Sequence, residues 1–426
     1  MARKARTLKA PYSGYDDQVG LVEDAELTHV GRGQPAGEYL RRYWQPIAFT
    51  HEVRDLPLHL RILGEDLVLF RDGRGALGLL KLHCSHRGTS LEYGRISERG
   101  IRCCYHGWLY DVDGTILETP GEPPGSTFKD RVFHGAYPVH EYKGLIFAYL
   151  GPPDRCPAFP IYDVFESPHY RLVPGRKHLL PCNWLQIKEN CMDPVHLVYL
   201  HTKLSGPQFN ESHALLPQLK WQETPIGLIV TQTRRVGPNV WSRNSELIWP
   251  NINQFGPTWE DGKEPRIYQR PMHTIWSVPV DDTQTMNISF MLLDDTDGRD
   301  PEKIRESFGQ TERPYEERQR VPGDYEAFTG QGPIAIHARE HLGATDRGVL
   351  LFRNQLRAQI RAVQRGADPK GVRFDAGGLI PTYCFDAVLP IPPAGSPEGE
   401  QAILRDVEQK VATRYYLEHR EPAGVR

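Results

Sequence analysis

Cys84-Ser85-His86-Arg87-Gly88 and, further on, Cys103-Cys104-Tyr105-His106-Gly107-Trp108 decide how this chain is read. They present Cys-x-His and Cys-x-x-His, separated by the sixteen residues 87–102. Two thiolates and two imidazoles at this spacing fit a [2Fe-2S] cluster with cysteines on one iron and histidines on the other, whose potential lies well above that of an all-cysteine cluster. A tetrahedral structural zinc is the rival, because two Cys and two His satisfy it as well. The cluster is favoured. Cys-x-His is an unusual leading half for zinc, and Gly88 and Gly107 let backbone amides approach the sulfurs. Cys103 reads as the ligand and Cys104 as a packing cysteine, in keeping with the tendency of free cysteine to be buried.

Around these loops lie short apolar and alternating runs at 60–63, 67–70, 77–80, 109–112 and 145–150, broken by Gly64-Glu65-Asp66, Asp72-Gly73-Arg74-Gly75 and Asp113-Gly114. Strands of that length with such turns predict a compact all-β domain. Gly151-Pro152-Pro153-Asp154-Arg155-Cys156-Pro157 has too many prolines for a central strand and marks a domain boundary. Beyond it, helices are expected at 183–199 and 345–363. The second carries an apolar stripe of Val349, Phe352, Leu356, Ile360 and Val363. Strands at 228–232, 247–249, 273–280 and 286–293 complete an α+β domain with an antiparallel sheet. The charged stretch 294–331 is expected to be a mobile excursion over the surface. A proline-rich break at 389–395 precedes a helix at 399–419. The division is an arm at 1–26, a first domain at 27–155 and a second at 156–426.

Composition limits the function. A chain of 426 residues with 39% hydrophobic and 25% charged residues is an ordinary globular protein of two or three domains. Its formal charge of -3 provides no global basic field, so nucleic acid is not an expected partner, and an acidic substrate must be held by local charges. Arg3, Lys4, Arg6 and Lys9 suggest a flexible or docking arm, and no apolar run approaches a membrane span. A cytoplasmic protein is expected. Seven irregularly spaced cysteines favour metal ligation over disulfides.

A second pattern lies at Asn190-Cys191-Met192-Asp193-Pro194-Val195-His196-Leu197-Val198-Tyr199-Leu200-His201. Two histidines and a carboxylate on one face leave coordination positions open, as ferrous iron needs for dioxygen. A core helix with incidental histidines is the bland alternative. Asp193 and His196 share a helical face, but His196 and His201 are five apart, roughly 140° round an ideal helix. The helix must therefore end or bulge between them, and Pro194 already disturbs its start.

The Cys/His segments, with Tyr110-Asp111-Val112-Asp113-Gly114 and Pro120-Gly121-Glu122-Pro123, resemble the Rieske domain of ring-hydroxylating and demethylating non-haem iron oxygenases, in the phthalate-dioxygenase-like branch. The resemblance runs from about residue 27 to 362. It implies an N-terminal all-β Rieske [2Fe-2S] domain and a helix-grip catalytic domain. Cys84, His86, Cys103 and His106 would hold the cluster. His196 and His201 would bind a mononuclear Fe(II), and Asp193 would link by hydrogen bonding to His106 of a neighbouring subunit in a trimer or dimer of trimers. Asp346, ahead of the stripe-bearing helix, is expected as the third ligand, although an Asp there also suits a helix N-terminus. Glu189 and Asn190 are candidate supports for the ligands. With no dinucleotide-binding turn in the sequence, NADH electrons must come through a separate reductase or ferredoxin. The branch acts on aromatic carboxylates with O₂. O-demethylation of a methoxylated acid is expected ahead of ring cis-dihydroxylation, and an iron-sulfur electron carrier or sensor is the alternative of a different class. Arg234, Arg235, Arg243 and Arg270 are conceivable contacts for a carboxylate, each otherwise a solvated strand residue.

Overall fold

The computed structural model describes residues 10–16, 22–168, 170–206, 208–269, 271–294, 313–375 and 377–418. Its N-terminal part is built from three small antiparallel sheets. Leu58–Ile62, Glu65–Arg71, Leu77–Lys81 and Ala136–Tyr137 form one, and Trp44–Phe49, Leu145–Tyr149 and Val139–Tyr142 a second. Two hairpins turn on Leu63-Gly64 and Lys143-Gly144, all four residues having positive φ. That is the type I′ geometry whose twist matches paired strands. The third sheet joins Arg95–Ile96, Ile101–Arg102, Leu109–Tyr110 and Ile116–Glu118, so the Cys103-to-His106 loop spans two of its strands. Val68, Phe70, Leu80, Leu91, Ile101, Tyr110 and Ile116 pack into one core beneath both Cys/His loops.

The C-terminal part is an antiparallel sheet with helices across it, an α+β fold. Its strand order is Tyr170–Leu180, Thr285–Asp294, His273–Pro279, Ile252–Phe255, Asn239–Ile248, Gly227–Val236 and Gln218–Glu223, with Phe385–Leu389 paired to Asn239–Ile248 and to Arg266–Gln269. Tyr170–Leu180 was not expected from the sequence. Pro174 and Gly175 interrupt its pattern, and they sit where the register shifts, which spares Pro174 a ladder bond. The helix Arg347–Gln364 lays Phe352, Leu356 and Ile360 into the core, with Phe352 stacked on Trp249. Backbone bonds from Leu63 and Gly64 to the carbonyls of Pro279 and Val280, at 2.9 and 2.8 Å, join the two parts, whose apolar cores are continuous.

Part of the expected surface excursion, residues 295–312, lies outside the described residues. The rest is no excursion. Residues 313–331 contain the helices Tyr315–Arg320 and Asp324–Thr329, and Phe328 is buried against Leu180, Cys182 and Ile187. The Gln186 amide donates to the Phe328 and Gly332 carbonyls, which ties this segment to the helix Trp184–Cys191. No helix among the described residues is long and apolar enough to cross a membrane.

Candidate active site

Two loops of the same build carry the Cys/His quartet. The Gly88 amide donates to the Cys84 carbonyl at 2.9 Å, and the Gly107 amide to the Cys103 carbonyl at 3.1 Å. Gly88 and Gly107 have φ of 76° and 72°, a conformation costly for any residue with a Cβ. Cys84 and Cys103 are buried, whereas His86 and His106 are exposed with ring centroids 4.5 Å apart. The quartet is thus divided, thiols inside and imidazoles at the tip. A two-iron cluster needs that division. A single zinc would draw all four donors to one point, and the quartet is not among the described groups whose ligand atoms all lie within 4.8 Å. Burial pushes the Cys103 thiol up, and the adjacent Cys84 adds to it. Tyr110 OH lies 2.9 Å from the Cys84 Sγ, His86 stacks on Trp108, and Ser85 is braced through His134 to the Lys81 carbonyl. Cys104 is exposed, so its expected packing role is wrong: the loop turns it outward beside the buried Cys103.

The second site grows from the helix Trp184–Cys191. Asn183 caps it, accepting from the Leu185 amide and donating to the carbonyls of Thr28 and Asp282. Met192 and Asp193 break the helix ahead of Pro194, the short helix Val195–Val198 follows, and Tyr199–Leu204 forms a wide π-type turn. The extra residue of such a turn brings side chains five apart to one side, and the rings of His196 and His201 are 5.4 Å apart. Between them reaches Asp324, from the first turn of the helix Asp324–Thr329. Its Oδ1 lies 3.1 Å from His201 Nε2 and 3.8 Å from His196 Nε2, and the three ligand atoms fall within 4.8 Å of one another.

Hydrogen bonds fix the tautomers. Gln208 donates its amide to the Pro322 carbonyl, so its Oε1 faces His201 Nδ1 at 2.8 Å, and that nitrogen must carry the proton. His196 Nδ1 likewise donates to the Asp193 carbonyl. In neutral rings both Nε2 lone pairs then point toward a carboxylate oxygen, an arrangement that calls for a cation between them. Electrostatics agree. Burial opposes the charged form of His201, yet the hydrogen bond and charge of Asp324, with Gln208, raise its pKa. Burial pushes the Asp324 carboxyl up, but His201 and His196 hold it below the usual carboxylate range. His196 is lowered, chiefly by burial, and so is a neutral ligand at physiological pH. Asp324 is 43% exposed, which leaves the set open on one side. Asn190, an expected support, donates to Asp324 Oδ1 at 3.2 Å.

Asp346 does not belong to this set. Its carboxylate accepts from the Gly343 amide at 2.6 Å and caps the turn Ala344–Asp346, the helix-start role that was the alternative for it. Asp193 accepts from the Val195 amide, and its carboxyl is raised, first by burial and also by Asp346 nearby. Glu189 is paired with Arg353, which also takes both oxygens of Glu340. The ligand atoms of Glu189, His337 and Glu340 cluster, but the Arg353 guanidinium already supplies the positive charge there. Asp324 was missed because it stands in a charged stretch. Gly323-Asp324-Tyr325-Glu326, in which the Glu326 carboxylate caps the Gly323 amide, was the available sign of a helix start.

Arg234 and Arg243 are buried, contrary to expectation, because the strands that carry them are covered on both faces. Arg235 is held by Glu400, and Arg270 lies outside the described residues. An aromatic-lined cavity of about 410 Å³, bordered by Trp44, Phe159, Trp249 and Trp276, contains none of the metal-ligand candidates.

Residues 43–141 match the Rieske [2Fe-2S] domain family. The chain is 42% identical to the tert-butanol monooxygenase / tert-amyl alcohol desaturase oxygenase subunit of Aquincola tertiaricarbonis, over 94% of this chain and 90% of that protein. It is 41% identical to the phenoxybenzoate dioxygenase subunit alpha of Ectopseudomonas oleovorans, over 84% of this chain and 89% of that one. Among solved structures, NdmA of Pseudomonas putida CBB5 with caffeine superposes with a TM-score of 0.62 over 77% of this chain and 93% of its own, at 21% identity, a likeness of fold. The chain belongs to the Rieske non-haem iron oxygenases. It is the oxygenase subunit of such a multicomponent mono- or dioxygenase.

Proposed function

We propose that this subunit hydroxylates an aromatic carboxylate, with a methoxylated aromatic acid as the leading substrate. O₂, two electrons and two protons would convert the methoxy group to a phenol, formaldehyde and water. The reading draws on one relative named a monooxygenase and another named for phenoxybenzoate, an aryl-ether acid. Ring cis-dihydroxylation is the second reading, favoured by the name of that second relative.

Within the proposal, Cys84, His86, Cys103 and His106 hold the cluster, and His196, His201 and Asp324 hold the iron. The observation that carries it is the convergence of three donors, two of them imidazoles whose tautomers are already fixed for a metal. The iron, when bound, supplies the place where O₂ is reduced with electrons from the cluster. Gln208 and the Asp193 carbonyl keep the imidazoles oriented, and Asn190 holds Asp324. The Asp193 side chain serves as the hydrogen-bonded link to His106 of an adjoining subunit in a trimer or dimer of trimers. A separate reductase or ferredoxin delivers the electrons.

Metal analysis tests the ligand set. The intact protein should hold about three irons per chain, two in the cluster and one mononuclear. Asp324→Ala should retain about two with an unchanged cluster spectrum, while Asp346→Ala keeps about three. Loss of the third iron from the Asp346 variant alone would reverse the assignment. Reductase-coupled O₂ uptake with methoxylated and plain aromatic acids, with formaldehyde assayed in parallel, tests the reaction.

A further inference from the structure

On the sheet, Arg234 lies opposite Trp241, Gln232 opposite Arg243, and Arg243 opposite Asp386, which puts these side chains on one face. The turn Glu211–Ala214 covers that face and presses His213 against Trp241 at 5.0 Å between ring centroids. Phe209 bridges the remaining distance to the metal-ligand candidates, stacked on His201 at 4.5 Å and 5.5 Å from His213. The cluster therefore adjoins the proposed iron site, two rings away.

Its polar groups do not balance. Arg243 donates to the Gly256 and Pro257 carbonyls and lies 3.7 Å from Asp386, which accepts from Trp241 Nε1 at Oδ1 and has no hydrogen bond at Oδ2. Glu260, the other carboxylate nearby, is 3.8 Å from Arg266. Arg234 has no ion pair among the described residues. Its guanidinium donates only to the neutral Gln232 Oε1 and the His213 carbonyl, its Nε has no partner, and it is 2% exposed. Both ring nitrogens of His213 are also without a partner at 0% exposure. A buried guanidinium and imidazole with unused N–H groups are costly unless something accepts from them.

We propose that Arg234 and His213 are the receptor for the substrate's anionic group, a single carboxylate accepting from Arg234 Nε and the His213 ring, with the aromatic body of the substrate displacing Phe209 from between this corner and His196, His201 and Asp324. The inference rests on the oxygenase reading of that site. Arg234 lies over the Trp241 ring at 5.0 Å, and with Arg243 it faces a single carboxylate, Asp386, so the one excess positive charge matches a monoanion rather than a phosphate monoester.

The test is equilibrium binding to the iron-loaded full chain, measured by calorimetry with 3-methoxybenzoate and its neutral analogue 3-methoxybenzamide. The acid should bind at least tenfold more tightly. Arg234→Gln should abolish that preference without weakening the amide, and His213→Phe should reduce it, while Arg235→Gln at the surface leaves it intact. If the Arg234 variant does not fold, the acid-to-amide ratio in the unsubstituted protein and in His213→Phe still decides the matter. Equal binding of acid and amide, or an unchanged preference in the variants, overturns the receptor. Reductase-coupled O₂ uptake with a neutral alcohol or ether but with no acid would overturn it and leave the oxygenase reading standing. A chain with only two irons would remove the oxygenase reading itself.

Discussion

Replacing Tyr110 with Phe isolates one hydrogen bond at the cluster loops. The Tyr110 hydroxyl lies 2.9 Å from Cys84 Sγ, Tyr110 is 0% exposed and Cys84 5%, so no solvent molecule can take over the contact without opening the core. The ring packs among the apolar residues beneath the loops, and Phe preserves that packing. A hydrogen bond to a charged acceptor is worth about 1.5–3 kcal/mol, and only the part that strengthens when the cluster gains an electron affects its potential. If about a third to a half of it does, the change is about 1 kcal/mol, or about 40 mV for a one-electron couple at about 59 mV per tenfold. The sign follows from charge. The donor favours the more negative, reduced state, so Tyr110→Phe should lower the midpoint potential. The assay is an anaerobic redox titration of purified protein, followed by visible circular dichroism or by the electron-spin resonance of the reduced cluster, and normalised to iron and acid-labile sulfide. An unchanged or raised midpoint with full cluster content would refute the reasoning.

Gln208→Leu removes the acceptor that sets the His201 tautomer, and should weaken mononuclear iron binding by about 10- to 100-fold with the cluster spectrum unaltered, measured by chelator competition. After removal of the mononuclear iron, a proton takes the metal's place between His201 and Asp324. His201 is raised above 6.5, so its contribution to stability is complete below that pH and lost as pH rises through the folded value. Asp324 is lowered below 3.8, so its contribution is present above that pH and lost only under stronger acid. Melting temperatures of the iron-depleted protein, relative to Asp324→Asn, should therefore show the largest advantage between those limits, and iron affinity should rise with pH as the protein alone loses that advantage. Arg353→Met leaves Glu189 buried beside His337 without its guanidinium, and urea unfolding should register a loss of about 3–5 kcal/mol. The same change should leave the cluster's optical spectrum untouched.

Much of this architecture was legible in the sequence because local patterns dictated it. Short alternating runs with Gly-containing turns gave the small sheets, and the stripe from Val349 to Ile360 gave the helix Arg347–Gln364 to within two residues at its start. The five-residue gap between His196 and His201 required a departure from α-helical spacing, and the π-type turn at Tyr199–Leu204 provides it. What failed was long-range. Asp346 and Asp324 are both carboxylates at helix starts, and nothing local to either tells which one folds back 123 residues to reach His201. Arg234 and Arg243 looked like solvated strand positions because a charged residue normally faces water. Their burial depends on the turn Glu211–Ala214 lying over the sheet, which no periodicity within the strands reveals.

The contact between His201 and Asp324 also has a meaning for the chain as a polymer. A metal held there would close a loop of more than a hundred residues, joining the segment after the domain boundary to one near the helix Arg347–Gln364. A cross-link of that span acts on the unfolded ensemble as much as on the native one, so occupancy of the iron and the folding equilibrium must be thermodynamically linked. Loss of iron would be felt first as release of the short helix Asp324–Thr329, whose other ties include Gln186 to the Phe328 carbonyl, Asn190 to Asp324, the Glu326 pairs with Arg313 and Arg318, and a small apolar contact at Phe328. Limited proteolysis of that segment would then report the metal content of the enzyme without any turnover.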